Sequence, residues 1–310
     1  VSDGPILLIG ANGQVGRELS PLLNKLGTVI TMPRSELDLG NAASIRGAIR
    51  ELKPRWIVNA AAYTAVDMAE SDAAAAFAIN GVALGVIGEE ALRVGAPVIH
   101  FSTDYVFAGD GDRPWSEDDP THPLSVYGSS KLAGEKALAN SGATHLIFRT
   151  SWVYGTQGQN FLLTILALAR ERDELRIVND QHGSPTWSRT LAQLVTHVIG
   201  LGEETARKRG LQPAEAVAPI AGVYHACSKE FTTWFGFASE FLRMAQAANP
   251  QQHFATLIPV PSSAYPTAAK RPENSRLNCE KLARDLGFTL PLWQDSTSEV
   301  MVELLAQHSA

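Results

Sequence analysis

The first 150 residues alternate between short runs that are apolar at nearly every position and longer stretches of helical character, a rhythm few architectures can satisfy. PILLIG (5–10), TVITM (28–32), RWIVNAAA (55–62), APVIHFS (96–102) and THLIFRT (144–150) read as strands. Between them lie helical stretches: GQVGRELSPLLNKLG ending at Gly27, AASIRGAIRELK (42–53), an alanine-rich helix from Asp72 to Val94, and a helix from about Tyr127 to Asn140. A strand that is apolar throughout is buried on both faces, and strands separated by helices form βαβ units. The expectation is an α/β fold built on a doubly wound parallel sheet.

From Ser151 the pattern changes to helices (FLLTILALARER, RTLAQLVTHVIGL, TTWFGFASEFLRMA, CEKLARDLG) separated by short strands and proline-bearing loops. This segment is expected to form a smaller α+β domain closing over the sheet. Residues 1–150, joined by about 187–222, are assigned to the sheet domain, and 151–186 with 223–310 to the substrate-binding domain. Residues 203–219, EETARKRGLQPAEAVAP, read as a solvated loop. At 310 residues and 45% hydrophobic, the chain has ample material for a core. Its 26 Lys and Arg against 32 Asp and Glu give a net charge of −6 with no basic run, so no nucleic-acid partner is expected. Cys227 and Cys279 show neither metal spacing nor a disulfide framework and read as reduced core thiols. The opening VSDGPILLIG has no basic n-region and no uninterrupted apolar stretch approaches ~18 residues, so neither a signal peptide nor a membrane partner is expected, and the location is read as cytoplasmic.

LLIGANGQVGREL sets Gly10, Gly13 and Gly16 between the first strand and the first helix. In that position the first glycine permits a tight turn, the second lets a pyrophosphate approach the backbone, and the third lets helix pack on strand. The helix N-terminus then offers unpaired N–H groups to phosphate. The fold class is therefore a Rossmann-type sheet that binds a dinucleotide. The second strand runs into MPRSELDLG, where Arg34 precedes Glu36. A basic residue there accommodates a 2′-phosphate, which favours NADPH with NADH as the alternative. LDL at 37–39 is placed to contact adenine.

YGSSKLAGE puts Tyr127 and Lys131 four residues apart, on one face of a helix. Delivering hydride to a ketone leaves an alkoxide that needs a proton, and a phenol in reach can supply it. A lysine ammonium beside the phenol favours its phenolate by roughly 1–3 pH units. STDYVFAG (102–109) follows the fourth strand at the end where open parallel sheets bind ligands. Thr103, with Ser102 as the alternative, is expected to hold the carbonyl oxygen toward Tyr127.

Together these parts resemble the extended short-chain dehydrogenase/reductases and, within them, the dTDP-4-dehydrorhamnose reductase branch. The resemblance runs through GANGQVG (10–16), NAAAYTAVDMAE (59–70), FSTDYVFAG (101–109), PLSVYGSSKLAGE (123–135), RTSWVYG (149–155), NDQHGSPT (179–186) and RPENSRL (271–277). It implies reduction of the 4-keto group of dTDP-4-dehydro-6-deoxy-L-mannose to dTDP-L-rhamnose with NADPH or NADH, the last step in making this precursor of cell-surface polysaccharide. It implies Tyr127 as proton donor, Lys131 as its electrostatic partner, and Thr103, Asp104, Tyr105 and Trp152 at the sugar. Gly13, Gln14, Val15, Asp38 and Leu39 match cofactor contacts, as do Ala62, Tyr63 and Thr64; Asn12 and Ala61 lie in the same stretches. Lys270 or Arg271 is placed to meet the diphosphate. Some relatives bridge subunits through magnesium held by glutamates. Glu18 matches one such position, but Arg189 stands near where another carboxylate belongs, so no metal site is expected. A homodimer stays open.

Other residues read as structural: His100 as a satisfied core histidine, Trp56, Trp187 and Trp234 as packing, and Glu117, Asp118 and Asp119 as a solvated loop. His182 reads as a solvated loop histidine. Two rivals share the fold. A sugar-nucleotide dehydratase or epimerase of this superfamily follows its threonine with Asp-Glu, whereas here Asp104 is followed by Tyr105. A non-catalytic NADP-binding regulatory subunit would not need the intact Thr103, Tyr127 and Lys131.

Overall fold

A computed structural model describes residues 4–307. The five expected strands are present as β1 (Ile6–Ile9), β2 (Val29–Thr31), β3 (Trp56–Asn59), β4 (Val98–Thr103) and β5 (His145–Thr150). Further along lie β6 (Glu174–Val178), β7 (Gly222–His225) and β8 (Thr256–Val260). The central sheet has six strands in the order β7-β5-β4-β3-β1-β2, parallel at every pairing. The sequence reading lacked β7, which is only four residues long and begins at a glycine.

Successive side chains on a strand point to opposite faces, and the core divides accordingly. Ile6 and Leu8 of β1 pack with Val58 and Ile99 under α1 (Gln14–Leu23). Leu7 and Ile9 join Ile57, Val98 and Ile147 under α2 (Ala42–Leu52) and α3 (Ala73–Val94). α3 is expected as one continuous helix, but a π turn at Ala78–Val82 interrupts it. By length and composition this helix could cross a membrane; it lies instead in the core, packed on α2 and on α4 (Val126–Asn140).

After α5 (Phe161–Glu171) and β6, the chain forms α6, which runs from Ser188 to Arg209 and covers α1. Residues 203–219 are therefore not a solvated loop. α6 continues through 203–209 and stops at Gly210, whose φ of +67° suits a glycine C-cap; a short helix, Pro213–Val217, follows. The buried stripe had been hidden because it turns small. After Val198 and Ile199 it continues through Gly202, where an added Cβ would meet Trp56 at 2.7 Å, and Ala206. Glu203 accepts hydrogen bonds from Arg55 Nε at 2.8 Å and Trp56 Nε1 at 2.7 Å.

The second lobe packs α5, α7 (Trp234–Ala248) and, beyond α8 (Glu280–Leu286), α9 (Trp293–Gln307) around Phe237, Phe241 and Trp293, with β6 and β8 paired in parallel. The sequence reading did not find α9, whose buried face includes Ser296 and Thr297. The chain returns to the first lobe twice, since Tyr224 of β7 and Leu282, Leu286 and Leu290 belong to the core cluster beneath α1 and α6. Cys227 is buried and Cys279 partly so; both are free thiols, with sulfurs 3.5 Å apart.

Candidate active site

At the end of β1 the chain passes over the edge of β3. Gly10 has φ +84°, and an added Cβ would stand 2.6 Å from the Ala61 nitrogen. At Gly16 an added Cβ would stand 2.1 Å from the Gly10 carbonyl oxygen, so only glycine lets α1 seat against the turn. α1 has no side-chain cap at Gly13 and no acidic residue in its first turn. Its N–H groups and positive dipole end are thus left for an anion. In front lies a cavity of about 400 Å³ lined by Gly10, Asn12, Gly13, Arg34, Asp38 and Leu39, with Ala61 and Ala62 on its far wall. Glycine cradle, uncapped helix and the cavity in front of them together fit a dinucleotide.

Not every expected cofactor residue lines that cavity. Val15 packs against the hydrophobic core, and Gln14 accepts a hydrogen bond from Asn160 of the second lobe at 3.0 Å. Tyr63 is pinned through its backbone to Asn80 in the π turn (2.8 and 3.0 Å), leaving Thr64 exposed on the loop. Arg34 is 81% exposed and lies 3.4 Å from Asp38, free to swing over the cleft mouth. Arg34→Ala is expected to weaken NADPH about tenfold or more, the worth of a hydrogen bond to a charged group, and NADH by less than twofold. Fluorescence titration with both nucleotides checks this.

Ser125 caps α4 by accepting from the Gly128 N–H at 3.1 Å, which fixes the turn carrying Tyr127. The Tyr127 phenol lies beside the Thr103 hydroxyl at the end of β4, and its ring meets Tyr105 edge-on at 5.5 Å. Burial, then the neighbouring Asp104 charge, push this phenol up to about 12. That reverses the expectation of a lysine-lowered phenol. Lys131, 2% exposed, turns its Nζ to the Phe101 carbonyl oxygen at 2.6 Å and to His100 Nε2 at 3.0 Å, and burial lowers it to about 8. The phenol therefore stays protonated at neutral pH, as an acid catalyst requires. His100 is a satisfied core histidine as read, but its partner is Lys131.

Asp104 is 3% exposed, and burial raises its carboxyl from 3.8 to about 6. Its Oδ1 accepts from Thr103 Oγ1 at 3.1 Å, and the Ser275 side chain stands beside the carboxyl and partly offsets the effect of burial. Because the folded-state value is raised, Asp104 costs stability that appears as pH climbs from about 4 through 6, on the order of 3 kcal/mol once complete. Asp104→Asn is expected to unfold at a higher temperature than the parent at pH 7.5 and to lose that advantage at pH 4. Thermal melts at the two values decide it; an equal difference at both would remove the buried charge from the account.

Trp152 follows β5 in the left-handed region (φ +49°), a conformation that costs a non-glycine residue on the order of 1–3 kcal/mol. Its ring stacks on Trp234 with centroids 3.7 Å apart, and Gly183 packs so closely that a Cβ would meet the indole at 2.7 Å. Trp234, read as packing, is thus also the support of Trp152, held by Gln181 through its indole N–H at 3.2 Å. Arg271 forks onto Asp67 at 2.6 and 3.1 Å and lies beside Tyr105. Thr103, Asp104, Tyr105, Tyr127 and Arg271 are therefore gathered together, with Lys131 behind them; Lys270 is exposed beside Arg271.

Elsewhere, Glu117 is not simply solvated, because it accepts the His225 N–H at 2.8 Å; Asp119 pairs with Arg113 at 2.7 Å. His182 is exposed, and its backbone zips onto Glu273 and Ser275. Arg189 lies between Glu18, at 2.9 Å, and Glu303. Among the described residues no group of three His, Cys, Asp or Glu could hold a metal ion.

A parallel sheet with its glycine cradle at the first strand–helix junction, and a Tyr-x₃-Lys helix facing a threonine at the end of the fourth strand, defines a dinucleotide-binding enzyme of the short-chain dehydrogenase/reductase class. The family model described as RmlD substrate binding domain matches residues 4–306, and the chain belongs to that family. It is 44% identical over 304 residues to the dTDP-4-dehydrorhamnose reductase of Burkholderia thailandensis, covering 97% of this chain and 99% of that one. To the protein of the same name from Escherichia coli K12 it is 45% identical over 303 residues, covering 96% and 97%. A crystal structure of a dTDP-4-dehydrorhamnose reductase from Clostridium acetobutylicum superposes with TM-score 0.86 at 34% identity, covering 97% and 99% of the two chains. The Bacillus anthracis reductase, solved in complex with NADP, superposes at 0.84 with 30% identity, covering 97% and 100%.

Proposed function

We propose that this chain reduces the C4 ketone of dTDP-4-dehydro-6-deoxy-L-mannose with NADPH, or more weakly NADH, giving dTDP-L-rhamnose. One observation supports the reading most directly: the Tyr127 ring stands edge-on to Tyr105 at 5.5 Å, at the carboxyl end of β4 where the Tyr105 N–H donates to Thr103 Oγ1. Gly10, Asn12, Gly13, Arg34, Asp38, Leu39, Ala61 and Ala62 would hold the cofactor in the cavity they line. Bound there, NADPH supplies the hydride, two electrons with one hydrogen, that the ketone carbon needs.

The protein's own part is to place the ketone oxygen and protonate it. Thr103 Oγ1 orients the oxygen, and Tyr127, protonated at working pH, gives its proton as negative charge develops there. Lys131, one turn further along α4, would offset the charge left on the phenol when its Nζ is protonated. The Asp104 carboxylate, with Thr103 and Ser275 beside it, would accept from a sugar hydroxyl. Trp152, backed by Trp234, offers the sugar an apolar face. Arg271, pre-oriented by Asp67, and the exposed Lys270 supply positive charge for the diphosphate. The sheet lobe thus handles the dinucleotide, and residues 151–186 with most of 223–310 the sugar nucleotide. Such a reaction belongs in the cytoplasm, where NADPH and activated sugars meet, ahead of cell-surface polysaccharide assembly.

Mixing the protein with dTDP-4-dehydro-6-deoxy-L-mannose and NADPH tests this reading. One NADPH should disappear per rhamnosyl nucleotide formed. Conversion of a dTDP-sugar with no net NADPH loss would favour a dehydratase or epimerase, and cofactor binding without turnover a regulatory subunit.

A further inference from the structure

Lys131 stands at the end of a buried polar chain that the reaction as written does not use. β3 and β4 pair with Asn59 opposite His100, and these side chains are 0% and 1% exposed, flanked along the two strands by the buried Ile57, Val58, Val98 and Ile99. Asn59 Oδ1 accepts the N–H of Ala61, a residue of the cofactor cleft, at 3.0 Å. Its amide nitrogen therefore faces His100 Nδ1, 3.2 Å away, and Nδ1 must accept. Burial and the nearby Lys131 keep His100 neutral. A neutral imidazole carries one N–H, which this arrangement places on Nε2, directed at Lys131 Nζ 3.0 Å away. Nζ in turn donates to the Phe101 carbonyl oxygen.

We propose that Asn59 and His100 are positioning residues for Lys131: they fix where Nζ points, and by presenting it with an N–H they disfavour its ammonium form in the resting site. This rests on the reductase reading, in which Lys131 acts on the phenol. Two polar side chains buried in mid-sheet are costly unless fully paired, and here the pairing leads from the cofactor loop to the lysine. The other charged group that bears on Nζ is Glu135, one turn further along α4 and paired with Arg149 of β5 at 2.7 Å; Tyr127, one turn earlier on the helix, is a neutral phenol beside Asp104.

The chain has a direction, and Asn59→Asp would reverse it. A carboxylate accepts from both Ala61 N–H and His100, drawing the imidazole hydrogen to Nδ1 and leaving Nε2 to accept from an ammonium. His100→Gln likewise offers Nζ an oxygen acceptor. In the parent protein, ¹⁵N NMR of histidine-labelled enzyme should find His100 with Nε2 protonated and Nδ1 bare, and in Asn59→Asp the reverse. This reading needs no turnover, so it stands or falls separately from the reductase assignment. In the kinetic assay the alkaline limb of kcat/KM should move up by at least one pH unit in both variants, with melting temperature as the check on folding. A parent enzyme with Nδ1 protonated, or an alkaline limb unmoved in two folded variants, overturns the proposal.

Discussion

Tyr127→Phe is expected to lower kcat by about 10²–10⁴-fold, the usual worth of a positioned general acid, while NADPH binds within about twofold of the parent. The substitution removes one oxygen from a ring that keeps its edge-on contact with Tyr105. The cavity formed by the glycine turn lies at the ends of β1 and β2 and does not include Tyr127. Because the phenol sits at about 12 in the parent, its protonated state imposes no alkaline limit within the working range. Stopped-flow reduction and equilibrium nucleotide titration separate the two effects. Parent-like kcat in the variant would transfer the proton-donor role elsewhere, with Asp104 next in reach.

The second large effect concerns stability. Glu135 and Arg149 form a buried two-pronged pair, 3.0 and 2.7 Å long, between α4 and β5, with both side chains about 5% exposed. Arg149 also lies over the Phe107 ring at 5.1 Å, and its Nη1 has no partner among the described residues. Such an ion has no route to water. Glu135→Gln leaves it uncompensated and is expected to cost about 3–5 kcal/mol, read as a fall of roughly 10 °C in Tm. Exchanging both residues for leucine should recover much of that loss, since an apolar pair of similar volume needs no desolvation. A melt of Glu135→Gln within 2 °C of the parent would mean that the pair is hydrated in solution.

The dinucleotide lobe was legible because its signals are local. Strands apolar on both faces, glycines where no Cβ fits, and a Tyr and Lys on one helical face each follow from a few neighbouring residues. What escaped is set by contacts distant in sequence or by residues that do not look apolar. α6 runs past residue 203 with only Gly202 and Ala206 to carry its stripe, and α9 breaks its buried face of Trp293, Val300, Met301 and Leu304 with Ser296 and Thr297. Trp234 reads as core until the stack with Trp152, 82 positions earlier, is seen. Spacing on a helix says which side chains share a face, not how deeply they are buried: burial and the Asp104 charge raise the Tyr127 phenol, and the lysine has other partners. Here a histidine and a carbonyl on β4 engage Nζ instead.

The edge strand β7 has a consequence for how the chain is made. It pairs with β5 along Leu146–Arg149, yet it leaves the ribosome some 70 residues later, after the first part of the second lobe. Until then the nascent sheet carries an open hydrogen-bonding border, and the core beneath α1 lacks α6, Tyr224 and Leu282. The two lobes are therefore threaded through each other and reach completion together rather than one after the other. A fragment ending at residue 150 would present a raw β edge and a half-covered core, the makings of an aggregate instead of a free-standing nucleotide-binding module.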